Sequence, residues 1–503
     1  MSLFFLKINP YNMKNIFLNL FIMLSFFCLQ LNAQNLEADA LKFGTNNNEG
    51  SSRSVAIGGA MSAIGGDVSN INYNPAGIGF FKSSVLSFTP SILWNKADAK
   101  FINSSFQNQK SKFNISNIGS VFSFSTKKHS IINNINIGLA LSNQNNYNQK
   151  IEFRQFTANS ITNNWVNEAR QINGNIDGEV DYNNFSFETV GAYYSYLVNY
   201  DTSLNTYTTP INSAIKQSRI LTSKGNKRDF AIAMGFNILD KFYLGGAVSL
   251  AFINYYSTTT IKEEDKYNNI NSFEEFKMLS EYKNTGSGLN GKIGFIYKPI
   301  HAVRLSAAIQ SQTRLRLTEE YTTDFASEFD TISYQSESSL GKFTYSLATP
   351  WRANAGLALV HKKYGFISFD YELVDYASMK FIFADDFTEI EDNMNNSIKA
   401  KYQIAHNFKL GAEAKIKKFR LRAGYNIQTS PLKSDFREAN FDFSRHQFSG
   451  GIGYLFGRIA LDLAYRHTLT KEYALSYDGI NGISSNINKQ LLTASIALKL
   501  GKK

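Results

Sequence analysis

Long stretches of this chain alternate apolar residues with polar or small ones, and this alternation limits the possible folds more than any other feature. Between 459 and 466, Ile, Leu, Leu and Tyr alternate with Ala, Asp, Ala and Arg. The same pattern recurs at 303–310, 408–414 and 419–426. Successive side chains of a strand point to opposite faces of the sheet, so this period predicts strands with one apolar face. The body of the chain is therefore expected to be all-β.

Alternation alone fits both a soluble sandwich, whose apolar face is internal, and a membrane barrel, whose apolar face meets lipid. The connections favour the barrel. Short turns, such as Lys417–Lys418 and Phe456–Gly457, alternate with long polar connections, such as 262–285 and 429–443. Short turns at one end and long loops at the other are typical of outer-membrane barrels.

The pattern predicts a transmembrane antiparallel β-barrel of about 14 strands, an even number as a closed bacterial single-chain barrel requires. The final strand alternates almost to the end of the sequence, which fits a barrel that closes on its last segment. The predicted strands lie near 84–95, 113–126, 134–146, 228–238, 242–262, 287–298, 302–320, 343–361, 365–383, 397–416, 418–430, 444–456, 458–470 and 488–500.

Composition agrees with this fold. Aromatic residues make up 14% of the chain, which suits strands with aromatic side chains at membrane interfaces. There are only 7 Pro in 503 residues, and Pro is excluded from long hydrogen-bonded ladders. The net charge of +11 comes from scattered Lys and Arg without a dense basic run, so no nucleic-acid partner is predicted.

The first 33 residues have the features of a secretory signal. A basic start at Lys14 precedes a short apolar core, and Ala33 offers a small residue at the predicted cleavage site. Translation could begin at Met1 or at Met13. A membrane anchor fits less well because the apolar core is short, and a lipoprotein signal fits less well because bulky residues precede Cys28. Since Cys28 is the only cysteine, the mature chain would have no disulfide or thiolate metal site.

Two segments depart from the alternation. Residues 147–227 are predicted to form a long extracellular excursion, with a possible helix at 186–199. Residues 34–82 are rich in Gly, Ala, Ser and Asn and contain no long strand. Several short motifs occur in or after this second segment: Gly65-Gly66-Asp67, Asn74-Pro75-Ala76-Gly77, 286–294, Ala348-Thr349-Pro350-Trp351-Arg352, 370–376, 410–413, 422–425 and 462–465.

From about residue 50 to 500, this ordered set of motifs resembles the FadL/TodX family of outer-membrane transporters. The resemblance implies that the barrel (83–503) is plugged by an N-terminal hatch at 34–82, with Asn74, Pro75, Ala76 and Gly77 as its gating motif. It also implies passive uptake of long-chain fatty acids or other hydrophobic small molecules, with no cofactor. In the family, ligand leaves through a lateral opening at a kinked strand, which would be the third strand here, at about 134–146.

Alternation also predicts which charged residues line the interior. Most of them are expected to form salt-bridged ladders with inward carboxylates. Arg304, Arg352, Arg420 and Arg422 are the candidates for contact with a ligand carboxylate. The complete inward set is Arg304, Arg314, Arg316, Arg352, Arg420, Arg422 and Arg466, together with Asp370, Glu372, Glu413 and Asp462.

Other function classes have less support. The six histidines are isolated and lie in no nucleophile or metalloprotease motif, so no enzyme is predicted. A receptor for haem or another ligand, or a structural or adhesive barrel, remain the alternatives. The expected partners are a hydrophobic ligand, outer-membrane lipid with lipopolysaccharide, and the barrel-assembly machinery. The expected location is the cell outer membrane.

Overall fold

The structure is a computed structural model. It describes residues 33–101, 104–126, 130–171, 185–384, 387–436, 443–474 and 483–500. The predicted signal therefore lies almost entirely outside the described residues.

Most of the described chain is β-strand. The strands are β1 (Val85–Phe101), β2 (Ser104–Ser125), β3 (Ile132–Asn146), β4 (Gln149–Thr157), β5 (Asn199–Asp201), β6 (Thr206–Thr208), β7 (Ile215–Ile238), β8 (Phe242–Glu264), β9 (Phe273–Ile300), β10 (Val303–Gln310), β11 (Arg314–Phe329), β12 (Ile332–Glu337), β13 (Gly341–Ala348), β14 (Arg352–His361), β15 (Gly365–Asp375), β16 (Lys380–Ile382), β17 (Ile404–Ile416), β18 (Phe419–Gln428), β19 (Arg445–Phe456), β20 (Ile459–Ala474) and β21 (Ile483–Lys499).

The helices are short. They are α1 (Ala33–Gly44), α2 (Ser52–Ala56), α3 (Asn70–Tyr73), α4 (Thr162–Gln171), α5 (Phe187–Tyr194) and α6 (Thr388–Lys401), with 3-10 helices at Pro75–Phe80, Tyr376–Ser378 and Ser434–Phe436. No helix in the described ranges is both long and apolar enough to cross a membrane.

The strands form a closed antiparallel barrel, because β21 pairs back onto β1. Three barrel strands are interrupted and are made of β10 with β11, β13 with β14, and β15 with β16. Counting each of these as one gives fourteen strands around the described wall, which confirms the predicted fold. Of the remaining strands, β4 pairs with β7, β12 pairs with β11, and β5 pairs with β6 in a separate hairpin.

Several strands extend further than predicted at the end with the long connections. β7 begins at Ile215 and β9 at Phe273, whereas the alternation predicted starts near 228 and 287. Beyond the lipid, the outer face of a strand contacts water, so outward-facing apolar residues no longer mark the strand. The predicted strand 397–416 is also corrected at its start, because α6 extends to Lys401.

The two ends of the barrel differ as expected. At the end called here the short-turn end, Lys417–Lys418 and Gly457–Arg458 each connect two strands directly. Lys417 and Gly457 adopt left-handed backbone angles (φ 53° and 57°), as such tight turns require. The opposite end, called the loop end, carries α4, α5 and α6.

The wall has an apolar outer face. On β7, Phe230, Ile232 and Met234 are 40%, 51% and 45% exposed, whereas the intervening Ala231 and Ala233 are buried. Large exposed apolar side chains recur on neighbouring strands. In an outer-membrane barrel, a face of this kind meets lipid.

Residues 37–81, called here the hatch segment, lie inside the barrel. Ser52 N–H donates to Ser495 Oγ on β21 (2.7 Å), and Ser62 N–H donates to Asp370 on β15 (2.7 Å). Asn72 donates to Ser142 Oγ on β3 (2.6 Å). Because these three strands lie on different sides of the ring, the segment crosses the lumen.

Residues 147–227 also contribute regular structure. The segment contains β4, α4, α5, the β5–β6 hairpin and the beginning of β7. Its apolar side chains pack on the loop-end parts of β8, β9 and β11. The ring centroid of Trp165 lies 5.3 Å from that of Phe325 and 5.9 Å from that of Phe276. The segment therefore covers part of the loop end.

Candidate functional site

Asn74 lies at the centre of the hatch segment and is fully buried. Its amide nitrogen donates to the carbonyls of Ser62 (3.1 Å) and of Phe295 on β9 (3.2 Å). Its amide oxygen accepts from Ala76 N–H (3.1 Å) and caps the 3-10 helix that starts at Pro75. Asn74 thus connects two parts of the hatch segment to the wall.

The wall opposite this motif is built from glycine. A Cβ on Gly245 of β8 would lie 2.4 Å from backbone atoms of Pro75 and Ala76. A Cβ on Gly294 of β9 would lie 1.9 Å from Asn74 Oδ1. Such approaches are possible only where the wall has no side chain. The glycines therefore allow the hatch backbone to pack directly on the barrel.

The four candidate arginines do not form one site. Arg304 stacks its guanidinium 4.6 Å from the centre of the Phe80 ring and donates to the Ile64 carbonyl. Arg352 donates to the Gly44 carbonyl (2.7 Å) and lies 3.8 Å from Glu372. Both residues therefore donate to backbone carbonyls of the hatch segment and connect it to the wall.

The other two candidates lie on β18. Arg422 forms a buried ladder, with distances of 2.8 Å to Glu413 and 2.5 Å to Asp462. Arg420 donates to the carbonyls of Lys417 (2.9 Å) and Phe419 (2.7 Å) at the short-turn end. Arg422 thus has the structural contacts expected of a salt-bridged ladder.

Replacing Arg422 by glutamine should destabilise the barrel, because Asp462 would lose its paired cation and Glu413 would be left with the longer contact to Arg53 (3.7 Å). Removing one partner of a buried ion pair typically costs about 3–5 kcal/mol. We expect the folded band in a heat-modifiability gel to convert at a clearly lower temperature. The control is Arg420→Gln, which removes the same charge two residues away and should leave that temperature unchanged. Equal behaviour of the two variants would contradict this role of the ladder.

Two arginines predicted to point inward point outward. On β11, Arg314 and Arg316 are exposed, whereas Leu315 and Leu317 are 1% and 0% exposed. The break between β10 and β11 shifts the alternation, and the interior at this height is apolar. The prediction of inward arginines on β11 was therefore wrong.

The apolar interior at this height, called here the luminal apolar cluster, joins wall strands to α1 and α6. Phe43 of α1 packs edge-on against Tyr147 (6.1 Å) and Tyr255 (6.0 Å). The cluster includes Ala40 and Phe43 of the hatch segment and extends from them towards the loop end. Its buried members are Ala40, Phe43, Tyr147, Ala251, Ile253, Tyr255, Leu315, Leu317, Tyr345, Leu347, Val374, Tyr376, Met379, Phe381, Met394, Ile398, Tyr402 and Ala405.

The wall is discontinuous beside β3. Pairing between β2 and β3 runs from Ser125–Asn134 to Asn117–Ser142 and then stops, although both strands continue. The pairing of β3 with β7 shifts register between Asn143 and Asn145. Residues 142–148 are all buried. Unpaired strand edges at membrane depth are tolerated where protein covers them.

The hatch segment covers this discontinuity from inside. Asn47 and Glu49 donate their backbone N–H groups to Gln144 and Asn143 of β3, at 2.5 and 3.1 Å. The Glu49 carboxylate accepts from Ser116 Oγ of β2 at 2.8 Å. Glu49 therefore joins the two strands that are no longer paired with each other.

Glu49 should make this contact sensitive to pH. Burial raises its pKa above the ordinary carboxyl value, although Arg466 and nearby donors act in the opposite direction. For a carboxyl with a raised folded-state pKa, the stabilisation is complete below the unfolded-state pKa. The contribution of Glu49 to the contact between the hatch segment and β2 and β3 is therefore lost as pH rises through its folded-state pKa. We expect a spin label at Asn46→Cys to become more mobile as pH rises from the unfolded-state pKa of Glu49 through its folded-state pKa. Glu49→Gln should remove that change. An unchanged pH response in Glu49→Gln would contradict the assignment.

Sequence reasoning named Asn74–Gly77 as candidate residues, which stays a prediction, and missed the luminal apolar cluster and Glu49. Phe43 and Tyr255 are far apart in sequence, and neither lies in a recognisable motif. Leu315 and Leu317 gave no signal either, because they continue the odd-numbered apolar alternation of 303–309, which on that pattern faces lipid. Among the described residues, no group of three or more His, Cys, Asp or Glu is arranged to hold a metal ion.

Two solved structures illustrate the similarity of the fold. A FadL homologue from Pseudomonas aeruginosa has 11% sequence identity and a TM-score of 0.54, and the match covers 91% of this chain and 100% of that one. The toluene transporter TodX from Pseudomonas putida gives 11% identity and a TM-score of 0.52, with the same coverage. No curated protein sequence matches the chain.

The family assignment rests on the sequence profile. The profile of the family described as outer membrane protein transport protein (OMPP1/FadL/TodX) matches residues 30–495, which is most of the chain. This match agrees with the closed fourteen-stranded barrel and with the motifs at Gly65–Asp67 and Asn74–Gly77. The chain belongs to the FadL/TodX family of outer-membrane transport proteins.

Proposed function

We propose that this protein is a channel for passive uptake of hydrophobic small molecules, with long-chain fatty acids as the leading ligand class. The observation that carries the proposal is the luminal apolar cluster, which lies inside the wall and joins the start of the hatch segment to α6 at the loop end. Burial of apolar surface provides the affinity for such a ligand without an energy source. TodX, one of the similar structures, is a toluene transporter.

Ligand binding would involve α1. Phe43 occupies the luminal apolar cluster between Tyr147 and Tyr255, so a bound ligand would replace or share its ring contacts. Of the four candidate arginines, Arg352 lies nearest to this position, because it donates to the carbonyl of Gly44, the residue after Phe43. Arg352 is therefore the proposed contact for a ligand carboxylate.

The discontinuity between β2 and β3 is the proposed exit, as the family resemblance implies. Movement of Asn47–Glu49 would uncover it from inside. On the outside, an apolar groove lined by Leu86, Phe88, Ile118 and Leu139 lies beside the paired part of β2 and β3. A hydrophobic molecule leaving there would pass into lipid without crossing water.

The hatch motif is proposed to gate this route, since Asn74, Pro75, Ala76 and Gly77 determine how the hatch segment packs on β8 and β9. The predicted contacts with lipopolysaccharide and with the barrel-assembly machinery stay predictions.

Equilibrium binding to the purified protein tests the proposal. A radiolabelled long-chain fatty acid should bind saturably, and unlabelled fatty acid should displace it, whereas an acidic hydrophilic solute such as succinate should not. Displacement by toluene as well would extend the ligand class to aromatic hydrocarbons. Absence of saturable binding by either apolar ligand would refute the proposal.

A further inference from the structure

The outer surface of β9, β11 and β13 carries a group of cations near the loop end, called here the outer cationic patch. It comprises Arg314 and Arg316 on β11, Lys283 on β9 and Lys342 on β13. All four side chains are exposed. Arg316 is in register with Ser287 and Ser346, and the two lysines lie four positions further towards the loop end, in register with Glu320.

Within the described part of the chain, the two arginines of this patch have no carboxylate partner. The only acid beside them is Glu320, which is shared by Lys283 (2.8 Å) and Lys342 (3.4 Å). The patch therefore has four cations and one carboxylate. By contrast, Arg422 inside the barrel is paired with two acids.

Hydroxyl groups lie between the arginines and the lysines. Ser287 and Ser346 flank Arg316 on the two neighbouring strands. One step further towards the loop end, Thr318 and Thr344 share a hydrogen bond of 3.2 Å. A surface with two free guanidinium groups and neighbouring hydroxyl donors suits a phosphate oxygen, which accepts several hydrogen bonds at once.

The patch adjoins the lipid-facing surface. Arg314 is in register with Leu289 of β9, which is 57% exposed, and β10 immediately before it carries Ile309, which is 48% exposed. A molecule that binds here would have an apolar part beside Leu289 and Ile309 and an anionic part beside Arg314 and Arg316. This is the arrangement of a membrane lipid with a phosphorylated head group.

We propose that the outer cationic patch binds the phosphate groups of an outer-leaflet lipid such as the lipid A part of lipopolysaccharide. The bound lipid would lie against the wall outside the transport route, since Leu315 and Leu317 on the same strand face the lumen. It would neutralise the two arginines and fix the height of this side of the barrel in the membrane. Cations at a membrane surface attract anionic lipid head groups in this way.

Binding of lipid A to the purified, folded protein tests this proposal by native mass spectrometry. We expect bisphosphorylated lipid A to bind on the order of tenfold more tightly than the same lipid without phosphates. Arg314→Gln/Arg316→Gln should lose most of that preference. The matched control is Lys362→Gln/Lys363→Gln, which removes two exposed cations at the short-turn end and should retain the preference.

Two results would overturn the proposal: an undiminished phosphate preference in the arginine variant, or an equal loss in both variants, which would indicate general charge attraction. If the double arginine variant does not assemble, Arg314→Gln and Arg316→Gln are measured singly, and each should lose part of the preference. Fatty-acid binding should be unchanged in these variants. This readout separates failure of the lipid site from failure of the proposed transport function.

Discussion

Replacing Gly245 by valine is expected to displace the hatch segment and to open the barrel to small hydrophilic solutes. The new Cβ would lie 2.4 Å from backbone atoms of Pro75 and Ala76, and backbone cannot turn aside as a flexible side chain can. The hatch segment would have to move away from β8, with loss of the Asn74 contacts to the wall. In liposomes, we expect permeability to a small sugar to rise on the order of tenfold, since a barrel of this size is open without its plug.

Gly246→Val is the matched control for this prediction. Its Cβ would lie 3.8 Å from the nearest atom, which is the Lys292 carbonyl oxygen, so the outer face should accept it. Heat-modifiability gels establish that both variants are folded before permeability is compared. A folded Gly245→Val barrel that remains as closed as the wild type would contradict the packing role given to this glycine.

A carboxylate placed in the luminal apolar cluster should abolish ligand binding. Phe381 is fully buried there, 5.5 Å from the Tyr345 ring, and Phe381→Asp would replace an apolar surface with a buried polar group. Transfer of an unpaired carboxylate into an apolar site is strongly unfavourable, and an acidic ligand would also be repelled. We expect the affinity for a long-chain fatty acid to fall by at least about tenfold, as measured by equilibrium binding.

The neighbouring residue provides the control. Ile382 is 41% exposed on the other face of β16, so Ile382→Asp introduces the same charge outside the cluster. Its affinity for the fatty acid should match that of the wild type. If Phe381→Asp binds the fatty acid as tightly as Ile382→Asp does, the luminal apolar cluster is not the binding surface.

The barrel could be predicted from sequence because lipid imposes a simple rule on each strand. Stretches such as 459–466 must place every second side chain in lipid, and this requirement is visible residue by residue. The rule applies only to the parts of the strands that face lipid. The loop-end parts of β7 and β9 therefore escaped prediction, and Arg314 and Arg316 were placed on the wrong face when the strand was interrupted.

The candidate site was less predictable because it depends on contacts between distant parts of the chain. The motif Asn74–Gly77 is local, but the wall residues that Asn74, Pro75 and Ala76 contact on β8 and β9 lie about 170 to 220 positions later. Phe43 and Glu49 carry no local signal for their roles. Phe43 meets the luminal apolar cluster only after the barrel has closed, and Glu49 matters only because β2 and β3 separate beside it.

Uptake of a labelled long-chain fatty acid by cells with and without this protein most directly tests passage of hydrophobic molecules through the barrel. A small hydrophilic solute is measured in parallel. Uptake of the fatty acid should depend on the protein, should be lost in Phe381→Asp and retained in Ile382→Asp, and should leave entry of the hydrophilic solute unchanged. Equal fatty-acid uptake by cells with and without the protein would contradict its function as a channel for this ligand class.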